Sequence, residues 1–196
     1  FMLKNGVCFA LILFLYSSCA DKEIDSKKEE KNSQQEKVNV PTFNADSAFY
    51  YIQKQVSFGP RFLSSKGWQN CAFWLEKKLN SYCENIKIQT APVTTYDGKQ
   101  HTLKNIIASF DPQKKNRVVF FAHWDTRHIA DYDTINENEP ILGANDGGSG
   151  VAVLIEMSRQ FSLQSPNIGV DIYFLMLKIM GSQKIQAFQL CKILGA

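Results

Sequence analysis

Thiolate metal chemistry has no footing in this sequence. Its 196 residues include five cysteines, and none stands in a CxxC pair or another zinc-thiolate spacing. Cys71 and Cys83 bracket one apolar-periodic stretch, and a helix of that length spans about 18 Å, far beyond the reach of a disulfide. An apolar run long enough to cross a bilayer is also missing. Such a helix needs about 20 apolar residues, and the run from Val7 to Tyr16 falls short. Charge of one sign is scarce. The formal net charge is +3 and is not gathered into a stripe, so no nucleic acid is expected as a partner. Carboxylates are absent from Tyr173 to Ala196. What is present is a 44% hydrophobic, 21% charged chain. That suits one α/β domain with a core and is too short for two.

The start of the chain reads as a targeting segment. Lys4 supplies a positive charge, Val7–Tyr16 an apolar core, and Ser17-Ser18-Cys19 a small-residue close. Small residues before a cysteine resemble the lipobox of bacterial lipoproteins. The resemblance implies a signal peptide over residues 1–18 and Cys19 as the lipid-bearing first residue of the mature chain. It implies a lipid-anchored place in the bacterial cell envelope, periplasmic or facing the outer membrane. Residues 19–39 are rich in Lys, Glu, Ser and Gln with almost no large apolar residue. They are expected to form a disordered tether that holds the domain off the membrane.

Beyond residue 40 the hydrophobic periodicity predicts alternating helices and strands. A helix is expected over 44–56, capped by Asp46 or Ser47, with Ala48, Phe49, Ile52 and Val56 inward. Gly59-Pro60 ends it. A second is expected over 68–79, with Cys71, Trp74, Leu75 and Leu79 inward. Strands are expected over 86–95, 104–110, 117–122 and 169–175. Val118–Phe121 is a continuous apolar run, as for a strand buried on both faces. Residues 126–142 read as a long polar loop and 149–163 as a third helix. The alternation predicts a three-layer α/β/α sandwich, whose ligands bind beyond the carboxyl ends of the strands.

His123-Trp124-Asp125 stands where the third strand should end. Asp146 lies in Gly143-Ala144-Asn145-Asp146-Gly147-Gly148-Ser149-Gly150, just before a helix. Glycines there allow tight backbone paths and close approach. Histidine and carboxylates at strand ends are the donors that zinc takes in catalytic sites. Either motif alone is commonly a turn or a helix cap. Together, at the ends of these elements, they mark a candidate active site.

The run His123-Trp124-Asp125-Thr126-Arg127, then Gly143 to Arg159, resembles the zinc peptidase family that includes leucine-type aminopeptidases and glutaminyl cyclases. Phe58-Gly59-Pro60-Arg61 and Lys104-Asn105-Ile106-Ile107-Ala108 fit the same family. The resemblance spans about residues 45–174, and Ala130-Asp131 after the His-Trp-Asp element resembles the cyclase branch. It implies a zinc exopeptidase-like fold with a mixed, mostly parallel sheet, and Zn²⁺ as cofactor. It implies Asp146 as a metal ligand and Asp125 as a supporting catalytic carboxylate. It implies His123 beside the metal in cyclases, or a ligand in two-zinc peptidases. Trp124 is a candidate substrate-lining residue, with a core position as the alternative. The implied reaction is cyclisation of the amino-terminal glutamine of peptides or proteins to pyroglutamate, with ammonia released. The alternatives are a zinc aminopeptidase and a non-catalytic peptide-binding surface lipoprotein.

The chain departs from the family after Asp171. An acidic motif supplying a general base and a further ligand is expected there, and Phe174-Leu175-Met176-Leu177-Lys178-Ile179-Met180-Gly181 stands in its place. Plausible codons for these residues, read two bases later, give Phe-Asp-Ala-Glu-Asp-Tyr-Gly, the missing motif. Residues 40–174 are therefore expected to form a partial, truncated catalytic domain, and 175–196 a frameshifted tail. The chain as written is expected to lack catalysis.

Overall fold

The computed structural model describes residues 39–95 and 97–176. The expected signal peptide, Cys19, nearly all of the tether, and residues 177–196 lie outside the described residues.

Helix α1 spans Ala45–Ser57 and is capped by Asn44, whose Oδ1 accepts from the Ser47 amide at 2.8 Å. The sequence pattern pointed to Asp46 or Ser47 instead. Asn44 takes the role because its own N–H is held by the Glu156 carboxylate at 2.8 Å, a contact 112 residues away in the chain. The inward face follows from that start. Ala48, Tyr51 and Gln55 are buried, while Phe49, expected inside, is 61% exposed. Helix α2 spans Lys66–Asn80, with the Ser65 hydroxyl accepting from the Trp68 amide. Its Cys71, Ala72, Leu75 and Leu79 are buried, and Trp74 packs against the same core. Cys71 and Cys83 are free thiols. Burial pushes the Cys71 thiol up to about 12, so it behaves as a small apolar residue.

Four strands form one sheet in the order β1-β2-β4-β3. They are β1 Ile86–Thr94, β2 Gln100–Phe110, β3 Arg117–His123 and β4 Gly169–Leu175. β1 and β2 form an antiparallel hairpin whose turn carries Gly98 at φ 78°. β2 pairs antiparallel with β4, and β3 pairs parallel with β4, so the sheet is mixed. The crossover between the two parallel strands is helix α3, Gly150–Leu163.

Alternate side chains of the strands meet the helices. Ile106, Ala108 and Phe110 of β2, and Val170, Ile172 and Phe174 of β4, join Leu75 and Leu79 of α2 and Val151 and Ile155 of α3 in one cluster. Each fully buried Val, Leu, Ile or Phe side chain among them contributes about 1.5–3 kcal/mol. Helices α2 and α3 pack on this face, and α1 packs against α3.

One expectation changes here. Strand β3 is not buried on both faces: Val119 is 52% exposed and Phe121 is 68% exposed. An apolar run reports that a strand is suited to burial, and β3 has β4 as its sole strand neighbour among the described residues. The last strand keeps its expected bounds, 169–175. β4 continues through Leu175, and Met176 is a core residue, 2% exposed. The Met176 amide donates to Asn105 Oδ1 at 3.1 Å, and its sulfur accepts from the Trp68 indole at 3.0 Å. Leucine and methionine extend a buried strand without difficulty, whatever codons produced them.

Candidate active site

The parallel pair decides where the site lies. Strands β3 and β4 run the same way, and His123 is the last residue of β3, opposite Leu175. The chain leaves the sheet there through Trp124, Asp125 and Thr126. From the other side comes the turn Ala144–Ser149, which leads into α3. Within that turn Asp146 leaves helical backbone (φ −77°, ψ 95°) and Gly147 takes φ 95°. The kink aims the Asp146 carboxylate at β3. His123 Nε2 lies 3.0 Å from Asp146 Oδ1. On the other side of the ring, Nδ1 is 3.1 Å from the Asp125 carbonyl and 3.6 Å from its carboxylate.

Both ring nitrogens thus face acceptors. Burial opposes charging the imidazole. Asp125, through side chain and carbonyl, and then Asp146 overcome it, so the His123 pKa is raised. Asp125 is 1% exposed, whereas the Asp146 side chain is 40% exposed and reaches solvent at the mouth of the site. The inner carboxylate can orient the ring, and the outer one can meet a ligand.

Zinc in a catalytic site takes about three protein ligands. Among the described residues, no group of three His, Cys, Asp or Glu side chains is placed to hold a metal ion. His123 and Asp146 supply two donors of the correct chemistry, and these two alone do not make a zinc site.

Trp124 does not line the site. It is 0% exposed, stacks on Trp68 with ring centroids 6.2 Å apart, and donates from Nε1 to the Lys104 carbonyl at 3.2 Å. The substrate-lining role considered for Trp124 is therefore corrected to a core role. Strand alternation explains it: with His123 at the mouth, the next side chain turns toward the helices.

Two residues that shape the site carried no assigned role in the sequence pattern. Arg61 and Gln55 are both fully buried. Gln55 Nε2 donates to the Gly148 carbonyl at 3.0 Å, tying α1 to the turn that carries Asp146. The Pro60-Arg61 step after α1 was visible as part of a motif. Nothing local marks an arginine that will be buried.

The family model for Peptidase family M28 matches residues 105–178. A Bacteroides thetaiotaomicron glutaminyl cyclase structure is 44% identical, with TM-score 0.70, over 75% of this chain and 51% of that chain. A Tannerella forsythia glutaminyl cyclase structure is likewise 44% identical, with TM-score 0.70, over 74% of this chain and 51% of that one. A Bacteroides thetaiotaomicron leucine aminopeptidase precursor structure is 44% identical, with TM-score 0.71, over 76% and 52%. An uncharacterized Escherichia coli protein, YfbL, is 33% identical over 69 residues, which is 35% of this chain and 20% of that protein. The chain spans about half the length of the solved relatives it matches. The span that resembles Peptidase family M28 holds the His123 strand end, the Asp146 turn and β4, and the chain shares its fold, at 44% sequence identity, with solved glutaminyl cyclases.

Proposed function

We propose that this chain is the amino-terminal part of a glutaminyl-peptide cyclotransferase, which closes the amino-terminal glutamine of peptides and proteins into pyroglutamate. The observation that carries the reading is the meeting of His123 and Asp146 at 3.0 Å, at the carboxyl end of β3, on a fold 44% identical to glutaminyl cyclases. In this reaction the substrate's α-amino nitrogen attacks its own side-chain amide carbon. A ring C–N bond forms, the amide C–N bond breaks, and ammonia leaves with the proton given up by the amine. The nucleophile and the electrophile share one molecule, so proximity is largely supplied by the substrate.

Zinc is the metal that the family implies, and it would act on the amide carbonyl as a Lewis acid. Within this chain, Asp146 is the exposed anionic donor, and Asp125 orients the His123 ring. The remaining metal ligands are not found among the described residues. Two-base-shifted reading after Phe174 would restore three carboxylates in Phe-Asp-Ala-Glu-Asp-Tyr-Gly. The chain as written is accordingly inactive, and the frame-restored, full-length protein is active.

The second reading, a zinc aminopeptidase, is supported by the 44% identity to a leucine aminopeptidase precursor. There His123 and Asp146 would both be ligands. One experiment separates the readings. The frame-restored protein and the 196-residue chain are assayed on Gln-initiated peptides for ammonia and for free amino acids. Ammonia from the restored protein alone is the expected result. Free amino acids without ammonia would make it an aminopeptidase. Neither product from folded, zinc-loaded protein would leave a non-catalytic peptide-binding lipoprotein.

The proposed location is the bacterial envelope, with a lipid on Cys19, supported by Ser17-Ser18-Cys19 after the apolar run. Cys19→Ser should abolish lipid labelling and release the protein from the membrane. Retention of the variant in the membrane would remove the anchor from the proposal.

A further inference from the structure

Arg61 is the buried charge whose contacts converge on the two sides of the site. It is 0% exposed. Its guanidinium donates to four main-chain carbonyls. Nε reaches Trp124 O at 2.9 Å, and Nη1 reaches Leu142 O at 2.8 Å and Gln55 O at 3.4 Å. Nη2 reaches Gly143 O at 2.9 Å. The Arg61 amide also donates to Thr126 Oγ1 at 2.8 Å, and its carbonyl accepts from the Thr126 amide at 3.3 Å. Desolvation lowers the pKa of this guanidinium, with Cys71, Asp125 and Asp146 opposing. A cation placed at that cost, on carbonyls alone, suits a part whose rigid planar fork must address several loops at once.

The carbonyls it holds are not scattered. Trp124 immediately precedes Asp125, and Leu142-Gly143 lead into the Asp146 turn. The Gly143 carbonyl also accepts from the Gly148 amide at 3.1 Å, so the group held by Nη2 closes the turn around Asp146. Gln55 completes the frame: its carbonyl takes Nη1, and its side chain takes the Gly148 carbonyl at 3.0 Å. Three segments that are distant in sequence are thereby locked at one distance.

We propose that Arg61 is a positioning residue of the site, which sets the strand end carrying His123 and Asp125 against the turn carrying Asp146. A neutral residue of similar size would fill the space and leave the two loops free to separate. A lysine would keep the charge and lose the fork. The functional meaning of this role rests on the active-site reading above. The measurements that test it need no turnover, so they stand or fall separately from the cyclase assignment.

The test uses the 196-residue chain, labelled with ¹⁵N, as wild type, Arg61→Lys and Glu156→Gln. Glu156 is a buried carboxylate paired with Arg159, and it serves as a control for general destabilisation. The His123 Nε2 chemical shift reports its contact with Asp146, and amide exchange reports local opening. In Arg61→Lys, the His123 shift should move to that of an unpaired ring. The Thr126 and Gly148 amides should exchange at least tenfold faster, with the Leu75 and Ile172 amides unchanged. Glu156→Gln should lower the melting temperature and leave the His123 shift in place. An unchanged His123 shift in folded Arg61→Lys, or loop and core amides accelerating together, would overturn the proposal. If Arg61→Lys does not fold, exchange of the Arg61 Nε proton in the wild type decides. Its opening with Gly148 at denaturant concentrations below those that open Ile172 supports the proposal. Its exchange only with global unfolding, while Gly148 opens earlier, overturns it.

Discussion

Gly147 shows how closely the site is built. Its φ of 95° is one that side-chain-bearing residues rarely adopt, and a Cβ there would lie 2.9 Å from His123 Cε1 and 3.0 Å from Nδ1. We expect Gly147→Ala to cost about 1–3 kcal/mol of stability from backbone strain alone. It should also displace the His123 ring, which denaturant titration and the histidine ¹H–¹⁵N spectrum would show together. A variant with wild-type stability and spectrum would show that the turn relaxes without cost. Trp124 gives the complementary test. Trp124→Phe keeps an aromatic ring near Trp68 but removes the donor to the Lys104 carbonyl. A buried carbonyl left unpaired costs about 1–3 kcal/mol. That loss is expected in denaturant unfolding if Trp124 is core, and it would be near zero for a surface-lining residue.

At the level of elements, one ion pair joins the parallel strands at the end opposite the site. The Arg117 guanidinium holds Asp171 through Nε at 2.8 Å and Nη2 at 2.6 Å, and Ser109 Oγ adds a bond at 2.6 Å. The hydrogen bonds from Arg117 lower the Asp171 pKa, burial opposes, and Ser109 adds to the lowering. A carboxyl with a lowered folded pKa contributes stability that is fully present above its unfolded pKa of about 3.9. That contribution is lost as pH falls through the folded value. The stability gap between wild type and Asp171→Asn should therefore be constant from about pH 7 to 5 and close progressively toward pH 2. A gap that widens on acidification would contradict the pairing.

At the scale of the whole molecule, β3 is a sheet edge among the described residues, and it presents Val119 and Phe121 to solvent. Solved relatives carry about as much chain again beyond the matched part. Exposed apolar edges bind dyes and promote association. The 196-residue chain should bind a hydrophobic dye and associate as its concentration rises. Phe121→Lys should reduce both effects, with a stability change within about 0.5 kcal/mol, the usual range for surface positions. A large loss of stability in Phe121→Lys would mean that the side chain is already packed in solution.

The sequence alone determined the element types, because hydrophobic period is a local property: Leu75 and Leu79 stripe a helix, and Ile106 and Ala108 face one side of a strand wherever the rest of the chain lies. It also marked His123, Asp125 and Asp146, since the Gly-rich turn and the strand end carry their chemistry in consecutive residues. Contacts across the chain decided the rest. Asn44 became the cap of α1 because Glu156 holds its amide. Trp124 went inward because β3 ends one residue earlier, beside the helical layer. Met176 joined the core because Asn105 and Trp68 meet it there. Arg61 and Gln55 are polar residues whose burial no local pattern announces. They could be buried because carbonyls from segments tens of residues away satisfy their donors, and that satisfaction exists only once the chain has folded.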